Sequence, residues 1–331
     1  MSAAGRSPGE YRRPQAEGFP VRAELAALLG AELERAVPAP VTALAAELAA
    51  RAGAATAAVL FYGSALRDVA LDGVLDFYVL TDRPIAWPGS RWTSLAGRLL
   101  PPNVGYLETV IGGTTLRTKY AVMTLAQFGD AMSAGGMDTT LWARFSQPVA
   151  CVRARGDAET RAVREAIVEA VITAARWAAA LGPERAEATD FWRALYQRTY
   201  AAELRVERGA RADDLVARDA ARYAEILPAA WHAGGLDFAV GKDGLLAPAL
   251  SAKERAAAER RWRRRRVLGR PLNLLRLLKA ASTFDNAADY VAWKVERHSG
   301  YKIEPSEFQR RHPLLAAPAL YLKLRARGVL R

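Results

Sequence analysis

The chain has few residues of the kinds that bind zinc or form cross-links: one cysteine and three histidines among 331 residues. Cys151 therefore cannot form an intramolecular disulfide. The three histidines are far apart, without the spacing of a Cys/His zinc site, at His232, His298 and His312. The composition excludes a disulfide scaffold and a zinc-finger-type protein, and it favours a reducing compartment.

Long apolar runs are also lacking. Nowhere do about 20 apolar residues follow one another without a charge, which is the length that a helix needs to cross a bilayer. The first residues, MSAAGRSPGEYRRPQAEG, hold no apolar core of signal-peptide length. The sequence therefore predicts a protein that is neither secreted nor membrane-spanning, with residues 1–20 as a flexible tail.

Acidic residues are fewer than basic ones, 35 against 47, which gives a formal net charge of +12. Such an excess attracts an anionic partner, either nucleic acid, an acidic lipid surface or a phosphorylated substrate. The hydrophobic content of 51% is sufficient for a globular protein, and the length is sufficient for two packed domains. Charge alone does not choose among the three partners.

The stretch VLFYGSALRDVALDGVLDFYVLTDR at 59–83 predicts a strand, a tight turn at Gly63-Ser64 and a second strand that contains Asp76. Backbone N–H groups and a hydroxyl at such a turn can approach a nucleotide triphosphate, while the carboxylate holds a divalent cation. Within an apolar strand, the Asp76 carboxylate would be costly to desolvate unless a metal offset that cost. The pattern indicates nucleotidyl transfer. The alternative is an ordinary Gly-Ser turn and a turn-forming aspartate.

Two-metal phosphoryl transfer commonly uses two carboxylates at alternate positions of one strand, but Tyr78 occupies the second position here. Glu108 is the preferred replacement, and Asp72 in the connecting loop is the second choice. Lys119 on a later strand would neutralise charge on the transferring group. For each of these three residues, a solvated surface side chain is the alternative interpretation.

The remaining periodicity predicts an α+β fold. Strands are expected at 57–61, 75–81 and 149–152, with a hairpin of 105–111 and 116–123 across Gly112-Gly113. Helical periodicity dominates elsewhere, with separate helices expected at 252–268 and 272–281. A loop is expected at 233–248, where Gly234-Gly235 and the turn at 241–244 lie. We therefore expect a nucleotidyltransferase-like mixed sheet with helices at 21–155, a mainly helical domain at 156–250 and basic amphipathic helices at 251–331.

Three motifs occur in the same order as in a known family: Tyr62-Gly63-Ser64, Leu75-Asp76-Phe77 and Lys119-Tyr120-Ala121-Val122. With these motifs, LWARFSQPV at 141–149 and TYAAELR at 199–205, the chain resembles the mitochondrial-type CDP-diacylglycerol synthases of the nucleotidyltransferase superfamily (the mitochondrial translocator assembly and maintenance family). The resemblance covers roughly residues 55–300. Gln147 replaces a family lysine, and Ala202 and Glu203 replace a glycine and an aspartate.

The resemblance implies a phosphatidate cytidylyltransferase, which transfers CMP from CTP to phosphatidic acid and releases pyrophosphate, with Mg²⁺ as cofactor. The predicted catalytic residues are Asp76, Lys119 and Arg144, and the predicted metal ligands are Asp76 and Glu108. The predicted nucleotide-binding residues are Tyr62, Gly63, Ser64, Tyr200, Glu203 and Arg205, of which the last three rest on the resemblance alone. It further implies a winged-helix-like second domain and a C-terminal helix that contacts a membrane.

A basic run at 260–266, RRWRRRR, leads into the leucine-rich PLNLLRLLKA at 271–280. Basic residues between leucines and aromatics suit an anionic membrane surface. The predicted membrane residues are Arg263, Arg264, Leu275, Arg276, Lys279 and Trp293. Nucleic acid would also attract this charge, but exposed leucines favour acyl chains. A solvated helix face paired with Glu254 and Glu259 is the third interpretation, and for 314–330 an interfacial helix and a docked core helix both stay open.

The predicted partners are thus CTP, phosphatidic acid and an anionic membrane, with nucleic acid not expected and a homo-oligomer left open. The expected location is the cytoplasmic, inner face of a bacterial cell membrane. Two other functions remain as alternatives. One is a nucleotidyltransferase with a soluble acceptor, and the other is a non-catalytic nucleic-acid-binding protein on a degenerate nucleotidyltransferase fold.

Overall fold

The computed structural model describes residue 95 and the ranges 18–68, 71–87, 97–136, 139–202, 210–283, 286–311 and 313–326. Most of the predicted tail at 1–20 lies outside them. The described strands are β1 Thr56–Tyr62, β2 Val74–Thr81, β3 Asn103–Ile111, β4 Thr114–Thr124, β5 Val149–Ala154, β6 Phe238–Val240 and β7 Leu246–Pro248. The described helices are α1 Gly18–Leu33, α2 Ala39–Ala52, α3 Ser64–Asp68, α4 Leu125–Met132, α5 Thr140–Phe145, α6 Asp157–Leu181, α7 Ala188–Ala202, α8 Ala210–Arg218, α9 Ala220–Ala233, α10 Ala252–Thr283, α11 Ala287–Ser299, α12 Glu307–Arg311 and α13 Pro313–Ala326.

The first five strands form one sheet in the order β3-β4-β2-β1-β5. Strands β2 and β4 are parallel and the other neighbours are antiparallel, so the sheet is mixed, as the sequence predicts. The predicted hairpin is present between β3 and β4. Gly112 and Gly113 both have positive φ, 58° and 79°, which a two-residue hairpin turn of type I′ requires. The α+β fold class is confirmed.

The two faces of the sheet differ in chemistry because successive side chains along a strand point to opposite sides. One face is apolar and packs under α2, where Phe61, Phe77 and Val79 join Leu44 and Leu48 in a buried cluster. The alternate residues of the same strands include Tyr62, Asp76 and Lys119. Burial of the first face against α2 therefore fixes the second as the face that presents polar groups.

The described residues form two compact units. The sheet unit comprises 33–128, 148–163 and 272–331, and the helical unit comprises 1–32, 129–147 and 164–271, each limited to its described residues. In this division the C-terminal helices cluster with the sheet. Two buried tryptophans of the helical unit donate hydrogen bonds through their indole N–H groups. Trp231 donates to the Ala175 carbonyl at 2.8 Å, and Trp192 donates to the Tyr223 carbonyl at 3.0 Å.

Two local predictions were wrong. The helices expected at 252–268 and 272–281 form one helix, α10, and the loop expected at 233–248 contains the β6–β7 hairpin. Tertiary contacts override local propensity in α10, where the Lys279 ammonium donates to the carbonyls of Leu100 and Pro102 at 2.6 and 2.9 Å. Three-residue strands are too short to show a period-2 pattern. Within the described helices, none is both long and apolar enough to cross a bilayer.

Candidate functional site

Four side chains form a row across the face of the sheet opposite α2, the open face, where Tyr62, Asp76 and Lys119 are partly exposed and Tyr106 is buried. Tyr62 on β1 is in register with Asp76 on β2, Asp76 with Lys119 on β4, and Lys119 with Tyr106 on β3. Residues in register on neighbouring strands project to the same side. Three of the residues predicted from sequence therefore lie side by side, with a carboxylate next to an ammonium group, and both Asp76 and Lys119 are only partly buried.

The predicted Gly63-Ser64 turn lies beside this row. Gly63 has φ +94°, a conformation that side-chain-bearing residues rarely adopt, and a Cβ at this position would lie 3.1 Å from Oδ2 of Asp76. Ser64 begins α3 and is exposed, and the Gly63 carbonyl accepts from the Leu66 N–H at 3.3 Å. The absence of a side chain at Gly63 thus leaves space directly against the Asp76 carboxylate.

Tyr78 occupies the strand position at which a second carboxylate was sought. Its side chain is 1% exposed and packs between Tyr62, at 5.5 Å between ring centroids, and Phe128, at 6.4 Å. The position therefore contributes packing to the sheet unit, and β2 supplies a single carboxylate to the open face.

Glu108 lies two residues further along β3 than Tyr106, opposite Arg117 on β4. Its Oε1 accepts from the Tyr106 hydroxyl at 2.6 Å and from Nε of Arg117 at 3.3 Å. Burial, together with the hydrogen bond to Glu108, raises the pKa of the Tyr106 phenol well above its usual value, so Tyr106 remains a donor. The carboxylate predicted as a second metal ligand is thus held by two donors of the same face.

The acidic groups fit one magnesium ion better than two. Among the described residues, no group of three or more His, Cys, Asp or Glu side chains is placed to hold a metal. Mg²⁺ is commonly held by one or two carboxylates together with substrate phosphates and water. Asp76, beside the open Gly63 position, fits that arrangement, whereas the donors of a two-metal centre are not found in the described part of the chain.

Helix α11 lines the open face of the sheet with three side chains at the i, i+3, i+7 spacing of one helix face, Tyr290, Trp293 and Arg297. The Tyr290 ring packs edge-on against Tyr106 at 5.3 Å between centroids. Burial and the negative charge of Asp76 raise the pKa of Tyr290, so its hydroxyl stays protonated. The helix is therefore part of the surroundings of the row.

A cavity of about 240 Å³ opens between α11 and the turn after β1. Its lining residues are Ser64, Ala65, Asp72, Gly73, Val74, Trp293 and Arg297. The Arg297 guanidinium donates to the Asp72 carbonyl at 2.9 Å and lies 3.6 Å from its carboxylate. Arg297 was not predicted as a site residue, and the spacing of 290, 293 and 297 on a predicted helix was the only signal for it.

Two other predicted site residues belong to the helical unit. Arg144 is on α5 and Tyr200 on α7, both partly buried, while Glu203 and Arg205 lie outside the described residues. Two residues after Arg144 in the sequence, the Ser146 hydroxyl forms a hydrogen bond of 3.0 Å with the Tyr196 hydroxyl.

A buried ion pair in this unit was also missed. Arg222 donates to Glu32 at 2.7 Å and to the Ser146 carbonyl at 3.1 Å, and both charged side chains are at most 14% exposed. Burial opposes the charged form, yet the Glu32 carboxylate keeps the pKa of Arg222 above its usual value. The pair fixes the end of α5 that follows Arg144.

The predicted membrane residues fall into two groups. Arg263 and Arg264 are exposed on α10, and Leu275 is 53% exposed. Lys279 is bound to two carbonyls of the sheet unit, and Trp293 lines the cavity. The side chain of Arg276 lies outside what the structure describes. Among the predicted membrane residues whose side chains the structure describes, the exposed basic ones are Arg263 and Arg264.

Neither the known protein-family models nor the curated proteins contain a match to this chain.

Proposed function

We propose that the protein is a phosphatidate cytidylyltransferase, which joins CTP and phosphatidic acid to give CDP-diacylglycerol and pyrophosphate. The single observation that carries the proposal is the juxtaposition of Asp76, Lys119 and the Gly63-Ser64 turn on one face of a mixed sheet. A carboxylate, a cation and an open turn together suit a bound triphosphate. The choice of cytosine as the nucleobase and of phosphatidate as the acceptor comes from the motif resemblance.

In this proposal the phosphatidate phosphate attacks the α-phosphorus of CTP in line, and pyrophosphate leaves. An anionic phosphate needs no strong general base, so positioning and charge neutralisation supply most of the rate acceleration. Gly63 and Ser64 bind the β- and γ-phosphates, and Lys119 neutralises charge that develops during transfer. Arg144 stays a predicted source of positive charge on the strength of the motif resemblance.

Asp76 would hold Mg²⁺ jointly with the phosphates of CTP. The ion would neutralise phosphate charge and orient the triphosphate. Lys119, the neighbour of Asp76 in register, would bind the triphosphate from the other side of the carboxylate. The exposed Arg263 and Arg264 would hold the protein at the anionic surface where a lipid acceptor resides.

One observation favours the second candidate, a nucleotidyltransferase with a soluble phosphorylated acceptor. Two of the six predicted membrane residues, Lys279 and Trp293, are engaged within the sheet unit. Activity on water-soluble acceptors without lipid or detergent supports this second candidate. Activity that requires phosphatidate supports the first.

The test is nucleotide selectivity followed by turnover. A ligand that binds only the folded protein raises its melting temperature. We expect stabilisation by CTP with Mg²⁺ beyond that by ATP or by oligonucleotides, and pyrophosphate release that depends on phosphatidate. Stabilisation by oligonucleotides alone would overturn the proposal in favour of the non-catalytic alternative.

The matched variants are Asp76→Ala and Asp130→Asn, which changes an exposed acid of α4. Asp76→Ala should reduce pyrophosphate release by roughly a hundredfold or more and leave the fold intact. Asp130→Asn should retain full activity. Turnover retained in Asp76→Ala would remove Asp76 as the metal ligand and the mechanism with it.

A further inference from the structure

Among the described residues that line the cavity beside Ser64, the cationic one is Arg297, which comes from the C-terminal helix α11. Arg297 pairs with Asp72 in the cavity lining, and Val74, Ala65 and the Trp293 ring form an apolar wall beside them. A cavity that combines one guanidinium with an apolar wall suits a phosphate attached to a carbon skeleton. Inorganic phosphate would leave the apolar wall unused.

The Arg297 side chain is held in place by an aromatic ring. Its guanidinium carbon lies 5.4 Å from the centroid of the Trp293 ring, and that of Arg117 lies 5.7 Å from the same ring. Cation–π contacts of this length are favourable and restrict where the guanidinium can move. Arg117 is engaged by Glu108, so Arg297 is the guanidinium that lines the cavity.

Besides its hydrogen bond to the Asp72 carbonyl, Arg297 has a carboxylate partner that an anion can replace. Its ion pair with Asp72 is 3.6 Å long, and the side chains are 45% and 78% exposed. Exposed pairs of this kind contribute little to stability, whereas a guanidinium binds a phosphate through two parallel hydrogen bonds. Arg297 is therefore positioned to exchange a weak carboxylate contact for a stronger phosphate contact.

We propose that Arg297, with Ser64 and the apolar wall of this cavity, binds the phosphate monoester of the acceptor substrate. This inference rests on the proposed function and names the subsite of its second substrate. The cavity lining does not include Asp76 or Lys119, but its Ser64 follows Gly63, whose backbone lies against the Asp76 carboxylate. In-line transfer needs the attacking phosphate to lie beside the triphosphate but in a separate subsite. The cavity would hold the attacking phosphate, and the row with Asp76 and Lys119 would hold the triphosphate.

Binding is measured by titration calorimetry with dihexanoyl phosphatidate, a short-chain probe, in one arm and CTP with Mg²⁺ in the other. Arg297→Gln should reduce the affinity for the probe by about tenfold and leave the affinity for CTP unchanged. The probe affinity of Arg297→Lys should lie between those of the wild-type protein and Arg297→Gln, because lysine keeps the charge but loses the paired donors. The control is Arg310→Gln on α12, whose arginine pairs with Asp289 at 3.0 Å outside the cavity lining.

Asp72→Asn should change the probe affinity in the opposite direction. Without the competing carboxylate, the probe should bind roughly two- to fivefold more tightly. A damaged fold cannot weaken binding in one variant and strengthen it in the other. Unchanged probe affinity in Arg297→Gln, or a loss confined to CTP, overturns the inference.

The two proposals fail separately. Arg297-dependent binding of the probe without any pyrophosphate release from CTP would keep the phosphate site and reject the cytidylyltransferase. Phosphatidate-dependent pyrophosphate release that is unaffected by Arg297→Gln would keep the enzyme and reject the site.

Discussion

Asp76 and Lys119 are opposite each other in register on the parallel strands β2 and β4. The distance between them in sequence is long, and the parallel pairing of two strands that are not consecutive brings them together. A carboxylate and an ammonium group side by side on an open face can hold a cation and an anion at once. This relationship organises the candidate site.

Gly63→Ala should impair the site more than it impairs folding. Residues other than glycine at positive φ cost about 1–2 kcal/mol, and here the new Cβ would also lie 3.1 Å from Oδ2 of Asp76. We expect the loss in stability to be accompanied by a large loss of CTP-dependent stabilisation. Gly112→Ala is the control, because Gly112 has φ +58° and its new methyl group would have no neighbouring atom within 4 Å.

Urea unfolding and CTP melting shifts check this prediction. Both variants should lose similar stability, and only Gly63→Ala should lose the nucleotide response. Equal nucleotide responses in the two variants would show that the space beside Asp76 is not used.

Glu108→Gln tests whether Glu108 binds metal. Because Glu108 already accepts from Tyr106 and Arg117, we expect a stability loss of about 1 kcal/mol and an unchanged Mg²⁺ requirement. The measurement is the Mg²⁺ concentration that gives half-maximal pyrophosphate release. A strong increase in that concentration would support the metal-ligand prediction made from sequence. Tyr106→Phe is the control, since it removes a hydrogen bond to Glu108 and no charge.

Arg222→Met should destabilise the helical unit strongly. It removes the cation from a buried pair with Glu32 and a donor from the Ser146 carbonyl, which together should cost about 3 kcal/mol. Denaturant unfolding monitored by tryptophan fluorescence measures the change. The matched control is Arg193→Met, whose more exposed pair with Asp190 contributes at most about 1 kcal/mol. Similar losses in the two variants would show that burial does not distinguish the pairs.

Arg263→Gln combined with Arg264→Gln should weaken binding to anionic vesicles. Each basic residue near such a surface contributes about 1 kcal/mol to binding, so the loss of both arginines should lower the affinity for vesicles by about tenfold or more. Co-sedimentation with phosphatidate-containing vesicles at low and moderate salt measures it. Substitution is preferable to deletion of the C-terminal segment, since α11 packs against the sheet.

Arg185→Gln is the control for this experiment, because Arg185 is paired with Asp243 at 2.6 Å. Undiminished binding in the double variant would remove the basic segment of α10 as the membrane contact.

The local elements and several residues of the candidate site could be predicted from the amino-acid sequence. Short apolar segments marked β1 and β2, the glycine pair marked the β3–β4 hairpin, and the turn at Gly63 and the carboxylate at Asp76 were visible as a motif. These signals are local, because periodicity and turn chemistry act over a few residues.

Which distant groups meet depends on tertiary packing. Strand order placed Lys119 beside Asp76, the hydrogen bonds of Tyr106 and Arg117 engaged Glu108, and packing of α11 on the sheet brought Arg297 to Ser64. Trp293, expected at a membrane, lines that cavity instead of lying exposed. Contacts of this kind depend on how whole faces are buried against one another, and local sequence carries little information about that pairing.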